Sequence, residues 1–445
     1  MTSVPNLQLP LSGSKLCCLF FVAVLGMAGC GIFGPAAKKE TDPDSDVAKT
    51  PSERVSEVDT ITFVENSEEE FPPITERETT KVTEHKSIYN IVLLAPFSAK
   101  RMQREGDFAS ARMIRMIEYL AGIEYGLESC ISGIDIQLNV IDTDNDVEFK
   151  PTFSEMPALI EADIIIGPYF TERVEAISSF ALEQQKVIVS PWNTSKLSTA
   201  NPYYIQMRPS LKTHALKIDQ FVTSRSSLDQ IMLMTKNDPR DIETLTFFQG
   251  NIPAGPDGRK RELIIDDIGN PDLTDSLSLY VSEQGYRDFI VPVWQDEAFV
   301  IAALSKLNFA QGEEKITVYG LPQWMEMSRM DYDYFENLSV HLSSARPARY
   351  VSQDSKSFTH SYYQKYGDLP GDDAYYGLNT IKWLAELLKV NGTDITSDLG
   401  IEVPDLDQRF ELTAIFGDDG ESIHHYENQF INILRFSEYR FEEVD

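Results

Sequence analysis

The chain has 445 residues, with 70 acidic against 39 basic side chains, a formal net charge of −31 and a pI near 4.5. A charge of that sign and size argues against nucleic acid and against anionic membrane surfaces as electrostatic partners. The length is too great for one small domain and predicts two lobes.

The first predicted element is apolar. Leu16 to Gly26 (LCCLFFVAVLG) is an eleven-residue run with Lys15 as the one positive charge before it. That is the length of a secretory h-region and too short to span a bilayer. The segment ends Met27-Ala28-Gly29-Cys30, which resembles the lipobox of bacterial lipoproteins, where a peptidase cuts before a cysteine already carrying diacylglycerol. That pattern prefers Leu where Met27 stands. The resemblance implies a signal peptide over 1–29 and a lipid on Cys30; the alternatives are an ordinary secretory signal or a buried helix. Gly31 is not the acidic residue that retains lipoproteins at the inner membrane, so the expected place is the outer membrane, facing the periplasm. Of the four cysteines, Cys17 and Cys18 leave with the signal and Cys30 is lipidated. Cys130 then has no partner for an intrachain disulfide and is expected to be buried and inert.

A tether follows over 30–86. From Glu40 to Lys86 there are 14 acidic and 5 basic residues, with Pro, Ser and Thr throughout. Such a segment buries too little surface to offset its ordering entropy, which predicts disorder. As a flexible coil it would span roughly 40 Å r.m.s..

From residue 87 the pattern alternates strands and helices. Strands are predicted at Tyr89–Phe97, Ile134–Asp142, Ala162–Tyr169 and Lys186–Pro191, with helices at Met113–Cys130 and Glu172–Gln185. A second series has strands at Gln230–Thr235, Arg261–Asp266, Asp288–Val293 and Lys315–Leu321, with helices at Ser276–Gln284 and Glu297–Leu307. A long helix from about Asp373 to Val390 and a strand-like run, Gln429–Phe436, close the chain. Strand–helix–strand repetition with apolar runs means parallel sheets covered by helices on both faces.

The order of motifs resembles the type I periplasmic solute-binding proteins, of the branched-chain amino-acid receptor kind. The residues that carry it are the strand Ile91–Ser98, the helix Tyr119–Ser129, the Gly133 turn and the strand Ile136–Asp142. Next come Ile166-Gly167-Pro168-Tyr169-Phe170-Thr171, then Ile188-Val189-Ser190-Pro191-Trp192, then Tyr204 to Ser210. Late in the chain stand Phe358, Tyr366, Pro370, Ala374, Tyr376-Gly377 and Asn379. The resemblance implies two doubly wound, Rossmann-like lobes joined by a hinge of several crossovers. The first lobe would take about 88–207 and 346–427, the second about 208–345 and 428–445.

Motifs for catalysis are scarce. The chain has no G-x-S-x-G, H-E-x-x-H, P-loop or G-x-G-x-x-G, and no cofactor is expected. His424 and His425 are adjacent and expected to point apart, while His214, His341 and His360 stand alone, so no metal site is expected. Asp142-x-Asp144-x-Asp146 imitates a calcium loop, but Val147 and Phe153 stand where Gly and Glu are needed; a polar loop capping the strand is the simpler reading. The expectation is a binding protein, not an enzyme.

Ligands of open parallel sheets sit beyond the carboxyl ends of strands. Those ends here are Tyr169 to Thr171 and Ser190 to Thr194, including Trp192 and Asn193. By the resemblance, Thr171, the Trp192 amide and the Thr194 hydroxyl would hold a ligand carboxylate, to which hydroxyls and helix N-terminal amides donate well. The hydroxyls also suit N-capping. Trp192 departs from the small residue usual in the family and would stack on a ring or plug the site. From the second lobe Asn237, Asp238 and Gln323 are the candidates to grip a ligand ammonium. Two classes of function stay open: a receptor for a small, amino-acid-like ligand working with a permease, or a ligand-free scaffold regulating envelope machinery such as a peptidoglycan synthase.

Overall fold

The computed structural model describes residues 85–100, 110–144, 153–194, 197–249 and 259–444. The signal-peptide segment, Cys30 and the tether up to residue 84 lie outside the described residues.

Five strands open the first sheet: β1 (Ile88–Ala95), β2 (Asp135–Asp142), β3 (Ile164–Ile166), β4 (Val187–Ser190) and β5 (Tyr204–Gln206). Five more form the body of the second: β6 (Ile231–Lys236), β7 (Arg261–Ile265), β8 (Asp288–Ile290), β9 (Thr317–Gly320) and β10 (His341–Ser344). The chain then returns to the first sheet with β11 (Leu412–Phe416) and β12 (Ile423–Asn428), and to the second with β13 (Asn432–Ser437) and β14 (Arg440–Glu443). The strand orders are β11-β12-β5-β4-β3-β1-β2 and β14-β13-β10-β9-β8-β6-β7. Among the described residues the chain passes between the sheets three times: after β5, after β10 and after β12.

The helices are α1 (Ala111–Ser129), α2 (Pro157–Glu161), α3 (Thr171–Glu183), α4 (Leu211–Thr223), α5 (Pro239–Leu245), α6 (Asp272–Ser282), α7 (Glu297–Ala310), α8 (Tyr332–Asn337), α9 (Gln353–Tyr366) and α10 (Asp372–Asn391). They cover both faces of each sheet, which is why the central strands are apolar without interruption. In β1, Ile91 and Leu93 enter one core while Val92 and Leu94 enter the other. In β6, Met232 and Met234 divide from Ile231 and Leu233 in the same way.

The central pairings are parallel, as expected, with Ile91 of β1 opposite Leu138 of β2 and Ile164 of β3. The edges add antiparallel pairings to these parallel-dominated sheets. Strand β11 runs antiparallel to β12, and β13 runs antiparallel to both β10 and β14. These are the strands added after the last crossovers, and a hairpin can join antiparallel neighbours without a helix.

Helix α10 buries fifteen of its twenty residues and lies against α1. The two cross at glycines. A Cβ on Gly122 would stand 1.9 Å from the Ala374 carbonyl oxygen, and one on Gly377 would stand 2.0 Å from the Tyr119 carbonyl oxygen.

The crossovers form a buried polar knot. The Glu427 carboxylate accepts from the Ser210 amide at 2.8 Å and the Thr213 hydroxyl at 2.7 Å. Burial would raise that carboxyl, but hydrogen bonds from His425, Thr213 and Ser210 outweigh it and hold it below its usual range. The Asn428 amide donates to the Met207 carbonyl at 3.1 Å, and the Gln408 amide donates to the Ala345 carbonyl. Buried His214 meets the Ser343 hydroxyl at 3.0 Å; burial, reinforced by Arg208, pushes the imidazole down to about 3.

Candidate functional site

Strand β3 ends at a turn only glycine fits. Gly167 has φ +103°, and a Cβ there would stand 2.4 Å from the Leu94 carbonyl oxygen of β1. Tyr169 and Phe170 follow, and Thr171 opens α3. The turn after β4 lies alongside. Thr171 donates its hydroxyl proton to Asn193 Oδ1 at 2.9 Å, and Asn193 Nδ2 donates to the carbonyls of Pro168 at 2.8 Å and Tyr169 at 3.1 Å. Asn193 thus laces the two turns together. Thr194 is exposed beside it, and Ser190 is fully buried.

The Trp192 indole turns into the first-lobe core and is 8% exposed. Its ring meets Tyr119 edge-on at 4.9 Å between centroids and Tyr169 at 5.7 Å, and Tyr119 in turn meets Tyr376 at 5.8 Å. It therefore packs against the protein's own rings. The Trp192 carbonyl accepts from Arg208 at 3.2 Å, at the start of the first crossover.

A two-armed ion cluster stands nearby. The Asp373 carboxylate, at the N-terminus of α10, takes Arg115 Nε on one oxygen at 2.7 Å and Arg346 Nη2 on the other at 2.9 Å. Arg346 belongs to the second crossover, and its guanidinium lies 5.4 Å from the Tyr376 ring centre. Burial opposes its charge, but Asp373 more than compensates and raises it.

In the second lobe Asn237 and Asp238 follow β6. Asn237 Nδ2 donates to Asp266 at 2.7 Å, tying β6 to the end of β7. Asp238 caps α5 by accepting the Arg240 amide at 3.0 Å, and that bond holds its carboxyl below the usual range. Gln323 lies in the 3₁₀ turn Pro322–Glu326, half-buried, with an Oε1 that has no hydrogen-bond partner among the described residues. The structure brings Tyr169, Thr171, Ser190, Trp192, Asn193 and Thr194 together; Asn237, Asp238 and Gln323 lie on other turns of the second sheet.

Sequence reasoning passes over a second-lobe pocket of about 250 Å³ at the ends of β6 and β8. Leu211, Phe247 and Trp294 give it apolar walls, with Arg240, Asp241 and Thr244 among its polar lining. Lys236 stands behind Asp241, at 3.4 Å. Leu211 opens α4, three residues after Arg208, so this pocket and the Trp192 turn flank the same crossover. Its walls come from three separate segments, and no motif announces them.

His424 and His425 do not point apart: their Nδ1 atoms are 2.9 Å from each other on β12. Asp142 caps its loop as expected, accepting the amides of Phe97, Ser98, Ala99 and Asp144. Among the described residues no group of three or more His, Cys, Asp and Glu is placed to hold a metal, and no helix is long and apolar enough to cross a membrane.

Two seven-stranded α/β sheets crossed three times by the chain define the type I periplasmic-binding fold. The same fold is seen in a branched chain amino acid ABC transporter periplasmic ligand-binding protein from Burkholderia xenovorans (TM-score 0.53, 11% identity, covering 80% of this chain and 94% of that one). It is seen too in an ABC transporter substrate-binding protein from Desulfitobacterium hafniense in complex with Leu (TM-score 0.50, 15% identity, 80% and 100%). Full-length LpoA from Haemophilus influenzae is similar at TM-score 0.51 and 11% identity, covering 82% of this chain and 60% of that one. No family model and no curated protein matches the chain.

Proposed function

We propose that this chain is an envelope lipoprotein, anchored through Cys30, whose two lobes capture a small carboxylate-bearing solute without transforming it. The observation that supports this best is the juxtaposition at the first crossover. The laced turns of Thr171 and Asn193 lie on one side, and the Leu211–Phe247–Trp294 pocket on the other. The exposed Thr194 hydroxyl beside those turns suits a carboxylate, and the apolar walls suit the remainder of an amino-acid-like solute. The complex of the Desulfitobacterium hafniense protein with Leu is consistent with that ligand class. A permease would be the partner that receives the solute. The test is a thermal-shift screen of the full chain against amino acids, small peptides and cell-wall fragments. One class should raise the melting temperature, and Thr171→Ala should abolish that rise; a rise that survives Thr171→Ala removes the first-lobe assignment.

The burial of Trp192 favours a second reading. Its indole and the Thr171–Asn193 bond satisfy the first-lobe turns internally, as in a scaffold that has dispensed with a ligand. Full-length LpoA from Haemophilus influenzae shares the fold. Co-purification of an envelope synthase, with no hit in the screen, would decide for this reading.

A further inference from the structure

We propose that Arg208, on the first crossover, takes the solute's carboxylate on its guanidinium. This rests on the receptor reading and names the residue that selects for the anionic group.

The side chains of the first-lobe turns are largely committed to one another. The Thr171 hydroxyl proton goes to Asn193 Oδ1, and Asn193 Nδ2 serves the carbonyls of Pro168 and Tyr169. The Trp192 indole is turned into the core. Thr194 is exposed and keeps its hydroxyl, but a hydroxyl brings no charge. A carboxylate that leaves water loses strong hydration, and a charged, forked donor replaces it best.

Arg208 is such a donor. It follows β5, is exposed, and its Nη1 donates to the Trp192 carbonyl at 3.2 Å, which fixes the guanidinium against the laced turns. A guanidinium has five N–H donors in a planar fork, so one bond to a neutral acceptor leaves an edge for a bidentate anion. Among the described residues Arg208 makes no ion pair. The acids nearest its surroundings are spent elsewhere: Glu427 on the Ser210 amide and Thr213 hydroxyl, Asp373 on Arg115 and Arg346. The neighbours on which its charge acts, His214 and Tyr376, are buried and uncharged near neutral pH, since burial pushes the imidazole down to about 3 and the phenol up.

Its place joins the two halves of the site. The Trp192 carbonyl that holds it lies two residues before Thr194. Leu211, a wall of the second-lobe pocket, is three residues after Arg208, with at most about 11 Å between their Cα atoms. A carboxylate on this guanidinium therefore stands beside the Thr194 turn, with the apolar walls of Leu211, Phe247 and Trp294 on its other side.

The test is calorimetric titration of the full chain with L-leucine and L-phenylalanine, each beside its neutral carboxamide, L-leucinamide and L-phenylalaninamide. The acids should bind about tenfold or more tightly than their amides, the effect of one charge-assisted contact. Arg208→Gln should bring that ratio to about one, and Arg208→Lys, which keeps the charge without the fork, should restore part of it. The melting temperature of the unliganded variant should stay where it is, because the side chain is exposed and makes one hydrogen bond. A melting temperature that falls together with the affinity for acids and amides alike marks a structural role and overturns the inference. So does an acid-to-amide ratio near one in the unaltered chain, or a ratio that Arg208→Gln leaves intact; both leave the receptor reading standing. Silence of all four probes overturns it too: a hit in the solute screen then keeps the receptor reading, and silence there removes both.

Discussion

Replacing Gly377 by alanine sets two effects against each other. In an exposed helix the change would stabilise by about 1 kcal/mol through helix propensity. Here the new Cβ would stand 2.0 Å from the Tyr119 carbonyl oxygen and 2.9 Å from its carbon. Both are backbone atoms in the middle of α1, so no rotamer change relieves the contact, and the two helices must separate by more than 1 Å. Dispersion contacts along the interface weaken over that distance. Overpacking of this kind costs about 3 kcal/mol at the upper end of its usual range. The net expectation is a loss of about 2 kcal/mol, a fall of roughly 3 °C in melting temperature for a chain this large. Gly122→Ala, facing the Ala374 oxygen at 1.9 Å, should match it. Gly126→Ala should cost less, because the atom it meets at 2.4 Å is a single side-chain methyl, Ile381 Cγ2, and the nearest backbone oxygen, that of Leu378, is 3.8 Å away. Urea denaturation followed by Trp fluorescence gives the order. A stabilised Gly377→Ala, or a Gly126→Ala as costly as the other two, refutes the reasoning.

Asp373→Asn leaves Arg346 and Arg115 without their shared carboxylate, and only Asp372, 3.6 Å from Arg346, remains in part. Buried pairs lose about 3–5 kcal/mol when one partner goes, but these side chains are 30% and 40% exposed, so screening reduces the expectation to about 1–2 kcal/mol. The urea midpoint should fall, and an unchanged midpoint counts against the cluster. His214 is held down at about 3 in the fold, whereas an unfolded imidazole takes its proton near 6.5. Its contribution is therefore complete above pH ~6.5 and declines by about 1.4 kcal/mol per pH unit below it. Melting curves from pH 7.5 to 4.5 should show that slope, and His214→Gln, which keeps a hydrogen bond for Ser343, should flatten it. Cys30→Ala should abolish incorporation of labelled palmitate by expressing cells; persistent labelling would place the lipid elsewhere.

The central strands are legible because burial on both faces leaves an unbroken apolar signature, as in IVLLA of β1 and III of β3. Strands β12 (IHHYEN) and β14 (RFEE) carry no such signature, since pairing makes them strands and not composition: β12 with distant β5, and β14 with β13 across a tight turn. Cys130 is half-buried instead of buried, with its thiol pushed up to about 11 by desolvation and by Asp354. Its place at the C-cap of α1 explains the difference. At the site, the Gly-Pro and Ser-Pro dipeptides mark the two turns, but the Thr171–Asn193 bond joins residues 22 apart through tertiary packing. The late Tyr376-Gly377 pair has a packing reason: its glycine admits α1, and its tyrosine supports the ring beneath Trp192.

The threefold passage between sheets has a consequence for biogenesis. Ile205 of β5 pairs with Tyr426 of β12, and Leu342 of β10 pairs with Leu434 of β13. Both sheets thus wait for β12 and β13 before these open edges are covered. A ribosome delivers those strands after β1 to β10, so until they emerge the nascent protein presents two unpaired strand edges to its neighbours. Truncation near residue 400 would make that transient state permanent and yield insoluble product, whereas removal of residues 1–84 leaves every described strand pairing in place.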